Sequence, residues 1–506
     1  MGQGRPPTAK GARHTAVGEA VWKSDEVIVV KKRANKVSAS EAAESVERRT
    51  SAKRNPGGRA VVGTQRPAET DVGLIRVREA ARADRSLSFN NLLHHVTVDL
   101  LERAYWALRR QAAPGVDEVD WQAYGEGLIS RLVQVHEAVQ SGRYRPQPVR
   151  RQWIAKADGR QRPLGIACIE DKLVQQALVW VLEAIYEVDF LGFSYGFRPG
   201  RSQHDALDAV YMAITTRKVG WVLDADIEAC FDRIEHHKLL AVLGRRIADR
   251  RVLRVIERTL KAGVMDGGVW QSSERGVPQG AVISPLLANV FLHDAIDRWV
   301  HGWREQQAQG KVSVVRYADD FVIGVQYRGD GVRLRAALEQ RLARYGLNLH
   351  PEKTRLIEFG RFARANRAKR GQGKPESFDF LGFTHSCARR RSDGDFALRR
   401  QSVSKRVRAF LQKVKLELHK RFHWTPTQQG AWLSSKVRGY FQYHGVPGNR
   451  RAMETVRREV NRMWLRALRR RSQRHALPWS RFTRWVRRWI PSSRIVHPYP
   501  NQRFAF

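Results

Sequence analysis

Cysteine, acidic residues and long apolar runs are all scarce in this sequence of 506 residues. The three cysteines, Cys168, Cys230 and Cys387, lie far apart without CxxC spacing, which excludes a disulfide framework and a cysteine-rich zinc site. No stretch approaches the roughly 18 uninterrupted apolar residues of a membrane span. The N-terminal MGQGRPPTAKGARHTAVGEA lacks the apolar core of a secretory signal. We therefore expect a reducing, cytoplasmic setting and no membrane partner.

Basic residues, in contrast, are in large excess, with 91 Lys and Arg against 50 Asp and Glu and a net charge of +41. A charge of this size indicates a polyanionic partner, with nucleic acid as the first candidate. The excess is greatest in residues 401–506, where 25 Lys and Arg accompany three acidic residues and six of the 15 tryptophans. Guanidinium planes and indoles both stack on bases, which favours nucleic-acid binding over the alternative, a helical bundle with a solvated basic face.

The pattern of residues changes twice along the chain. Residues 1–85 are polar and lack sustained periodicity, which predicts a disordered basic leader. From about residue 150 the pattern is mixed: VRRQWIAKADGRQRPLGI predicts a β-hairpin, GWVLDADI a strand, and VSVVRYADDFVIGV two strands around a tight turn. After about residue 400, apolar residues recur at helical spacing. The predicted fold class is α+β, followed by an α-helical domain.

Two acidic clusters occur where predicted strands end. Asp224 and Asp226 close VLDADI, and Asp319 and Asp320 occupy the turn between VVRY and FVIG. A solvated turn is the ordinary explanation of an Asp–Asp pair, but these apolar flanks favour burial. Clustered carboxylates repel unless a cation holds them ionised, and oxygen ligands without His or Cys favour Mg²⁺. Two Mg²⁺ ions could then activate a hydroxyl and stabilise a leaving pyrophosphate.

Seven blocks of the sequence resemble the proteins encoded by bacterial group II introns, which combine a reverse transcriptase with a maturase. They are WIAKADGRQRPLGI, SYGFRPGRSQHDAL, WVLDADIEACFDRI, GVPQGAVISPLLANVFL, RYADDFVI, GLNLHPEKT and FDFLGF, in the order of that family. The resemblance implies a right-hand polymerase fold. Fingers and a palm with an antiparallel sheet are expected in residues 86–385, and a helical thumb/maturase (X) domain in 400–506.

The resemblance also implies the roles of individual residues, which we state as expectations. Two Mg²⁺ ions would be held by Asp226, Asp319, Asp320 and the carbonyl of Ile227, and the three aspartates would also be the catalytic residues. The residues that bind the incoming dNTP would be Lys156, Arg162, Phe231, Gln279 and Lys353. A flat ring at Phe231 would collide with a 2′-hydroxyl and so select deoxynucleotides. Lys156 and Arg162 taken alone could be surface cations, and HPEKT around Lys353 could simply connect a helix to a strand.

Nucleic-acid contacts are expected at two places. In the first half of the chain they would be made by Arg198, Arg201 and Gly280, although the Pro–Gly of SYGFRPGRS could be only a structural turn. In the C-terminal domain they would be made by Lys436, Arg438, Tyr440, Tyr443 and Arg450. Both tyrosines could instead belong to the core of the helical bundle.

The expected function is an RNA-directed DNA polymerase that also assists splicing and mobility of its intron. Its partners would be structured intron RNA, an RNA template with a DNA primer, dNTPs and target DNA, in the nucleoid of a bacterial cytoplasm. The alternatives are an RNA-binding splicing factor without polymerase activity and a reverse transcriptase domesticated, for example, for phage defence. Since Cys387 alone lies beyond residue 231, we expect no cysteine-rich HNH endonuclease module in this sequence.

Overall fold

The computed structural model describes residues 71–155, 161–390, 392–471 and 477–503. Most of the predicted leader, residues 1–70, lies outside this part. The last section of the predicted leader is a helix, Val72–Ala83. It is capped at its N-terminus by Asp71, whose side chain accepts a hydrogen bond from the backbone N–H of Leu74 at 3.1 Å. Leu74 and Ala81 are fully buried. The prediction of disorder was therefore wrong for residues 72–83. These residues form a short helix because its apolar side chains pack against the core of the protein.

The strands form three sheets. They are β1 (Val149–Ala155), β2 (Gln161–Ile166), β3 (Trp221–Asp226), β4 (Val264–Asp266), β5 (Val269–Gln271), β6 (Val312–Tyr317), β7 (Asp320–Val325), β8 (Arg355–Glu358), β9 (Phe378–Phe380), β10 (Phe383–Arg389) and β11 (Phe396–Ser402). The strand orders are β2-β1-β4-β5, β6-β7-β3-β8 and β11-β10-β9. The predicted hairpins β1–β2 and β6–β7 are both confirmed as antiparallel pairs.

Helices precede, cover and follow these sheets. They are α1 (Val72–Ala83), α2 (Val98–Ala107), α3 (Trp121–Gly125), α4 (Leu128–Gln140), α5 (Ile169–Asp189), α6 (Gln203–Thr216), α7 (Cys230–Arg233), α8 (His236–Leu243), α9 (Arg250–Lys261), α10 (Ser284–Leu292), α11 (Arg298–Gln306), α12 (Arg328–Arg344), α13 (Ala363–Lys369), α14 (Ser404–Lys420), α15 (Pro426–His444), α16 (Arg450–Arg469), α17 (Trp479–Trp489) and α18 (Pro500–Arg503). A π-helical turn, His293–Asp297, joins α10 to α11.

The sheet β6-β7-β3-β8 is buried on both faces. Leu223 and Ile323 pack into the larger hydrophobic core, whereas their neighbours Val222 and Val322 pack into a second core on the opposite face. Successive side chains of a strand point to opposite faces, so a sheet covered on both sides requires apolar residues at consecutive positions. This explains why the sequences of these strands are continuous apolar runs and do not alternate between apolar and polar residues.

Residues 404–503, which we call the helical region, have a core of their own. It is built from apolar stripes of α14 to α17, with Leu433, Met453, Val460, Trp464 and Phe482 fully buried. We call residues 71–402 the sheet region. No helix in the described ranges has both the length and the apolar character needed to cross a membrane.

Candidate active site

The two acidic clusters meet at one end of the sheet β6-β7-β3-β8. Strands β3 and β7 are antiparallel neighbours, and Asp226 stands directly opposite Asp320 in their register. Strands β6 and β7 pair from Tyr317 and Asp320 outwards, which leaves Ala318 and Asp319 as the tight turn between them. Asp226 and Asp320, which are 94 positions apart in the sequence, are thus adjacent in space because their strands are neighbours.

The carboxylates at this site influence one another. Burial, together with the charges of Asp319 and Asp226, raises the pKa of Asp320 to about 7. Asp320 itself is exposed at the start of β7. Burial and Asp226 also raise the pKa of Asp319, against the opposing charge of Arg162. Burial raises the pKa of Asp224 to about 6. A cation bound beside them would favour the ionised form of these carboxylates.

Lys353 reaches this cluster through a loop that pairs with the end of β3. The backbone N–H of His350 donates to the carbonyl of Asp226 at 2.8 Å, and the side chain of Lys353 donates to Oδ2 of Asp226 at 2.5 Å. The next residue, Ile227, forms an isolated antiparallel bridge with Leu349, and the N–H of Glu228 donates to the carbonyl of Asn348 at 2.9 Å.

The turn is held by a buried arginine that the sequence analysis did not identify. Arg316 is fully buried and forms a two-pronged ion pair with Asp297, with distances of 2.6 and 2.5 Å. It also donates to Asn289 at 3.1 Å and to the hydroxyl of Ser194 at 2.8 Å. Its remaining bond, at 2.9 Å, is to the carbonyl of Ala318. One rigid guanidinium therefore connects the turn to three separate segments of the chain.

The backbone of this turn is strained and closely packed. Ala318 has a φ of 57°, in the left-handed region that residues with a side chain rarely adopt. A Cβ atom at Gly196 would lie 2.3 Å from the backbone nitrogen of Ala318, so only glycine fits there. The carbonyl of Gly196 accepts a hydrogen bond from Asn289 at 2.6 Å. The SYGF block thus packs directly against the backbone of the turn at Ala318.

A second set of side chains connects the β1–β2 hairpin to the loop that contains GVPQG. The guanidinium of Arg162 donates to the side chain of Gln279 at 2.6 Å, and Gln279 in turn donates to Asp232 at 3.0 Å. Asp232 adjoins Phe231, whose carbonyl accepts a hydrogen bond from Val277 at 2.7 Å. These contacts join Arg162 and Gln279 to the segment that contains Phe231, and the positive charge of Arg162 opposes the raised pKa of Asp319. The sequence analysis did not single out Asp232.

Gly280 lets this loop approach the hairpin closely. Its φ is 105°, and a Cβ atom there would lie 2.7 Å from the carbonyl oxygen of Gly165. The neighbouring carbonyl of Gln279 accepts a hydrogen bond from the N–H of Gly165 at 2.6 Å. A side chain at position 280 would therefore push the loop away from the hairpin and separate Gln279 from Arg162.

Residues 154–385 match the family described as "Reverse transcriptase (RNA-dependent DNA polymerase)". Protein YkfC of Escherichia coli is 35% identical over 315 residues, which cover 54% of this chain and 81% of that protein. The group II intron-encoded protein LtrA of Lactococcus lactis is 39% identical over 178 residues, or 35% of this chain and 29% of LtrA. Nuclear intron maturase 1 of Arabidopsis thaliana is 32% identical over 94 residues, or 18% and 13%.

The chain belongs to the group II intron reverse transcriptase/maturase family. As a member it is an RNA-directed DNA polymerase by class. The chain spans most of the length of YkfC but less than a third of the lengths of LtrA and the plant maturase.

Several residues predicted for this reverse transcriptase have structural roles or lie elsewhere. Lys156 is outside the described residues. Arg198, predicted to contact nucleic acid, is buried, is paired with Glu187 at 3.1 Å and donates to two backbone carbonyls at 2.8 Å. Burial lowers the pKa of Arg198 to about 10. Arg201 is half-buried and donates to the carbonyl of Gly192 at 2.6 Å. The guanidinium of Arg198 is therefore bound inside the protein, which favours a structural role over the predicted phosphate contact.

The residues predicted in the helical region of this reverse transcriptase are dispersed. Tyr440 is buried and stacks on His444, so the structure favours its interpretation as a core residue over that as an RNA contact. Tyr443 is half-buried, and its hydroxyl donates to the carbonyl of Leu381 at 2.8 Å. The remaining three are half-exposed or exposed on α15 and α16, and they are Lys436, Arg438 and Arg450.

The donor set of the site suits magnesium. Its side-chain donors are carboxylate oxygens, the ligands that Mg²⁺ prefers. Within the described ranges, however, no three His, Cys, Asp or Glu side chains converge into a complete ligand group. One oxygen of Asp226 is bound by Lys353 instead. Further oxygen donors would have to come from backbone, water or a substrate, as is usual for magnesium sites.

Proposed function

We propose that the chain extends a DNA 3′-hydroxyl on an RNA template and also binds intron RNA as a maturase, assisting splicing and mobility. The observation that carries the first activity is the register of β3 and β7, which sets Asp226 opposite Asp320 beside the Asp319 turn. Clustered carboxylates next to a basic, glycine-lined cleft suit nucleotidyl transfer, in which protein groups mainly position charged substrates.

In this proposal the chain has the shape of a right hand. The sheet β6-β7-β3-β8 would be the palm, the β1–β2 hairpin would belong to the fingers, and the helical region would be the thumb and maturase domain. The contact between Arg162 and Gln279 joins the fingers to the palm beside the carboxylates. A nucleotide bound there would meet residues of both parts.

Asp226 and Asp319, with the carbonyl of Ile227, would hold two Mg²⁺ ions, and Asp320 would support them. The bound metal would supply a lower pKa for the attacking hydroxyl and charge stabilisation for the leaving pyrophosphate. Arg316 fixes the turn, so the carboxylates are positioned before any substrate arrives. Preorganisation of this kind avoids a reorganisation cost during the reaction.

The remaining side chains of the cleft would handle the nucleotide. Arg162 would orient the triphosphate, since a planar guanidinium matches phosphate geometry, and Lys156 would assist it. Phe231 would exclude the 2′-hydroxyl of a ribonucleotide. Lys353, an ammonium held beside Asp226, could deliver a proton to the leaving pyrophosphate once substrate takes its place. Gly280 would give template and primer close access to the backbone.

Primer extension on poly(rA)/oligo(dT) with dTTP and Mg²⁺ tests the polymerase activity directly. We expect extension that EDTA abolishes and that excess Mg²⁺ restores. A wild-type protein that is folded but does not extend the primer would contradict the proposal and favour an RNA-binding splicing factor. Self-splicing of the intron RNA at low Mg²⁺, with and without the protein, tests the maturase activity separately.

A further inference from the structure

A groove of about 680 Å³ lies between helix α16, the start of α17 and the segment that follows α17. Arg450, Arg457, Arg458 and Arg462, all on α16, line it. The last three follow Arg450 by seven, eight and twelve positions, which places all four on one side of the helix. They extend over about 18 Å of its length. None of them belongs to the site around Asp226.

The charges in this groove are only partly compensated. Arg450 pairs with Glu454 at 3.1 Å, and Arg462 pairs with Glu459 at 2.9 Å. Arg458 is 3.8 Å from the same Glu459, and its side chain is largely exposed. Exposed pairs of this kind contribute little and exchange readily with a stronger anion. The groove therefore presents a positive surface to a polyanion.

One wall of the groove is fixed by a contact to the backbone. The guanidinium of Arg457 donates through Nε to the carbonyl of Pro491 at 3.0 Å. This bond ties the segment after α17 to α16 and sets Ser492 and Ser493 at the edge of the groove. The arrangement is a built feature of the fold rather than a scatter of surface cations.

The groove also contains groups that phosphate binding alone would not require. Trp479, at the first position of α17, is 50% exposed, although an indole favours burial. Ser492 and Ser493 bring two hydroxyls. The amide of Asn461 lies in the groove wall, and its oxygen has no hydrogen-bond partner among the described residues. An aromatic plane, hydroxyls and cations together match the base, the sugar and the phosphate of an unpaired nucleotide.

We propose that this groove binds an unpaired segment of RNA. Its arginines contact successive phosphates, Trp479 stacks on a base, and the serine hydroxyls hydrogen-bond to the ribose 2′-hydroxyl. The last contact distinguishes RNA from DNA, which lacks that hydroxyl. This inference rests on the proposed function only in taking RNA as the partner, and it assigns that partner to a defined site.

The test is fluorescence anisotropy with the full-length protein and three labelled probes: an RNA hairpin with an unpaired loop, the DNA hairpin of the same sequence, and a blunt RNA duplex. The double variant Ser492→Ala/Ser493→Ala should weaken binding of the RNA hairpin about three- to tenfold and leave the DNA hairpin unchanged. Trp479→Ala should weaken binding of both hairpins by about five- to a hundredfold and leave the duplex unchanged.

The phosphate contacts are tested by salt dependence. Arg458→Gln should weaken both hairpins and reduce the slope of log affinity against log salt by about 0.7 per lost phosphate contact. The matched control is Arg103→Gln, which removes an exposed arginine of α2 paired with Asp99 at 2.9 Å. This control should not change the affinity for either hairpin. Circular dichroism of each variant checks that the fold is retained.

Two results would overturn the inference. One is wild-type affinity of the serine and tryptophan variants for the RNA hairpin. The other is an equal loss of affinity for the hairpin and the blunt duplex, which would make the groove a surface for duplex backbone. Primer extension by the wild-type protein is measured in parallel, so that the two proposals can be distinguished. A protein that does not extend the primer, but whose serine variant loses affinity for the RNA hairpin and not for the DNA hairpin, contradicts only the polymerase proposal. A protein that extends the primer, but whose groove variants bind the RNA hairpin like wild type, contradicts only the groove proposal.

Discussion

Arg316 in the sheet region and Arg458 in the helical region carry the same side chain in opposite surroundings. Arg316 is fully buried and makes five hydrogen bonds to four residues. Arg458 is largely exposed, and its nearest carboxylate is 3.8 Å away. A buried charge must be paired and fully hydrogen-bonded to be tolerated, whereas an exposed one is free to bind an external anion. Arginine thus holds the turn that carries Asp319 in one region and remains at the surface in the other.

The net charge of the chain does not reveal this division. Arg198 and Arg400 are also buried and paired, with Glu187 and Asp208 respectively, so they contribute to the charge of +41 without offering it to a partner. The arginines of α16 are mostly exposed. We expect substitutions in the sheet region to affect rate and stability, and substitutions in the helical region to affect affinity.

The largest effect should come from Asp226→Asn. The change removes a charge where Mg²⁺ would be held, and metal ions contribute several kcal/mol to such reactions, so extension should fall by on the order of 10³-fold or more. Single-turnover primer extension measures this. The control, Asp393→Asn, lies in an exposed turn and should extend at the wild-type rate. Extension by Asp226→Asn within tenfold of wild type would contradict the role of this carboxylate.

The next effect should come from Arg316→Gln, which leaves Asp297 buried without its partner. Breaking a buried ion pair costs about 3–5 kcal/mol, measured as the free energy of unfolding in urea. The double variant Arg316→Met/Asp297→Leu removes both charges and should recover much of that stability. Its rate of extension should stay low with KM nearly unchanged, because the carbonyl of Ala318 still lacks its donor. Recovery of both stability and rate would show that Arg316 does not position the turn.

Phe231→Ala tests nucleotide selection in the sheet region. A ring that collides with the 2′-hydroxyl should discriminate against ribonucleotides, and pocket contacts of this size are worth about 10- to 200-fold. The ratio of kcat/KM for dTTP to that for UTP should therefore fall by this factor in the variant. An unchanged ratio would rule out this role for Phe231.

A smaller effect concerns two histidines close to where the regions meet. Burial, assisted by Arg400 for His385 and by Arg406 for His444, lowers the pKa of each to about 3. The unfolded chain binds more protons than the folded one between this value and about 6.5, so stability is full above pH 6.5 and is lost as the pH falls. The loss is on the order of 1 kcal/mol per pH unit per histidine. Urea unfolding of His444→Gln should show a shallower dependence between pH 6.5 and 5, and an unchanged slope would contradict the assignment.

The smallest effect should come from Arg462→Gln in the helical region. Its pair with Glu459 lies at the surface, and such pairs contribute about 0–1 kcal/mol. The free energy of unfolding should therefore change by less than about 0.5 kcal/mol. A change comparable to that of Arg316→Gln would remove the contrast between the two regions.

Much of the sheet region could be predicted from the sequence. The runs GWVLDADI and VSVVRYADDFVIGV indicated strands because both are rich in apolar, β-branched residues, and β3, β6 and β7 are found there. Lys353 and Gln279 were assigned to the dNTP site by resemblance alone; in the structure Lys353 contacts Asp226, and Gln279 contacts Arg162 and Asp232. Helix α1 was missed because its apolar residues are too few to form a helix without a core.

The sequence by itself determined the local chemistry: which segments form strands, which turn carries two carboxylates, and which part of the chain concentrates positive charge. These follow from short-range periodicity and composition, which need no knowledge of distant partners. Only the tertiary structure decided which arginines are buried and paired inside the protein and which are exposed at its surface. Arg316 pairs with Asp297, whereas Arg458 is exposed to water. This difference depends on how distant segments of the chain pack together, so it cannot be predicted from the residues next to either arginine in the sequence.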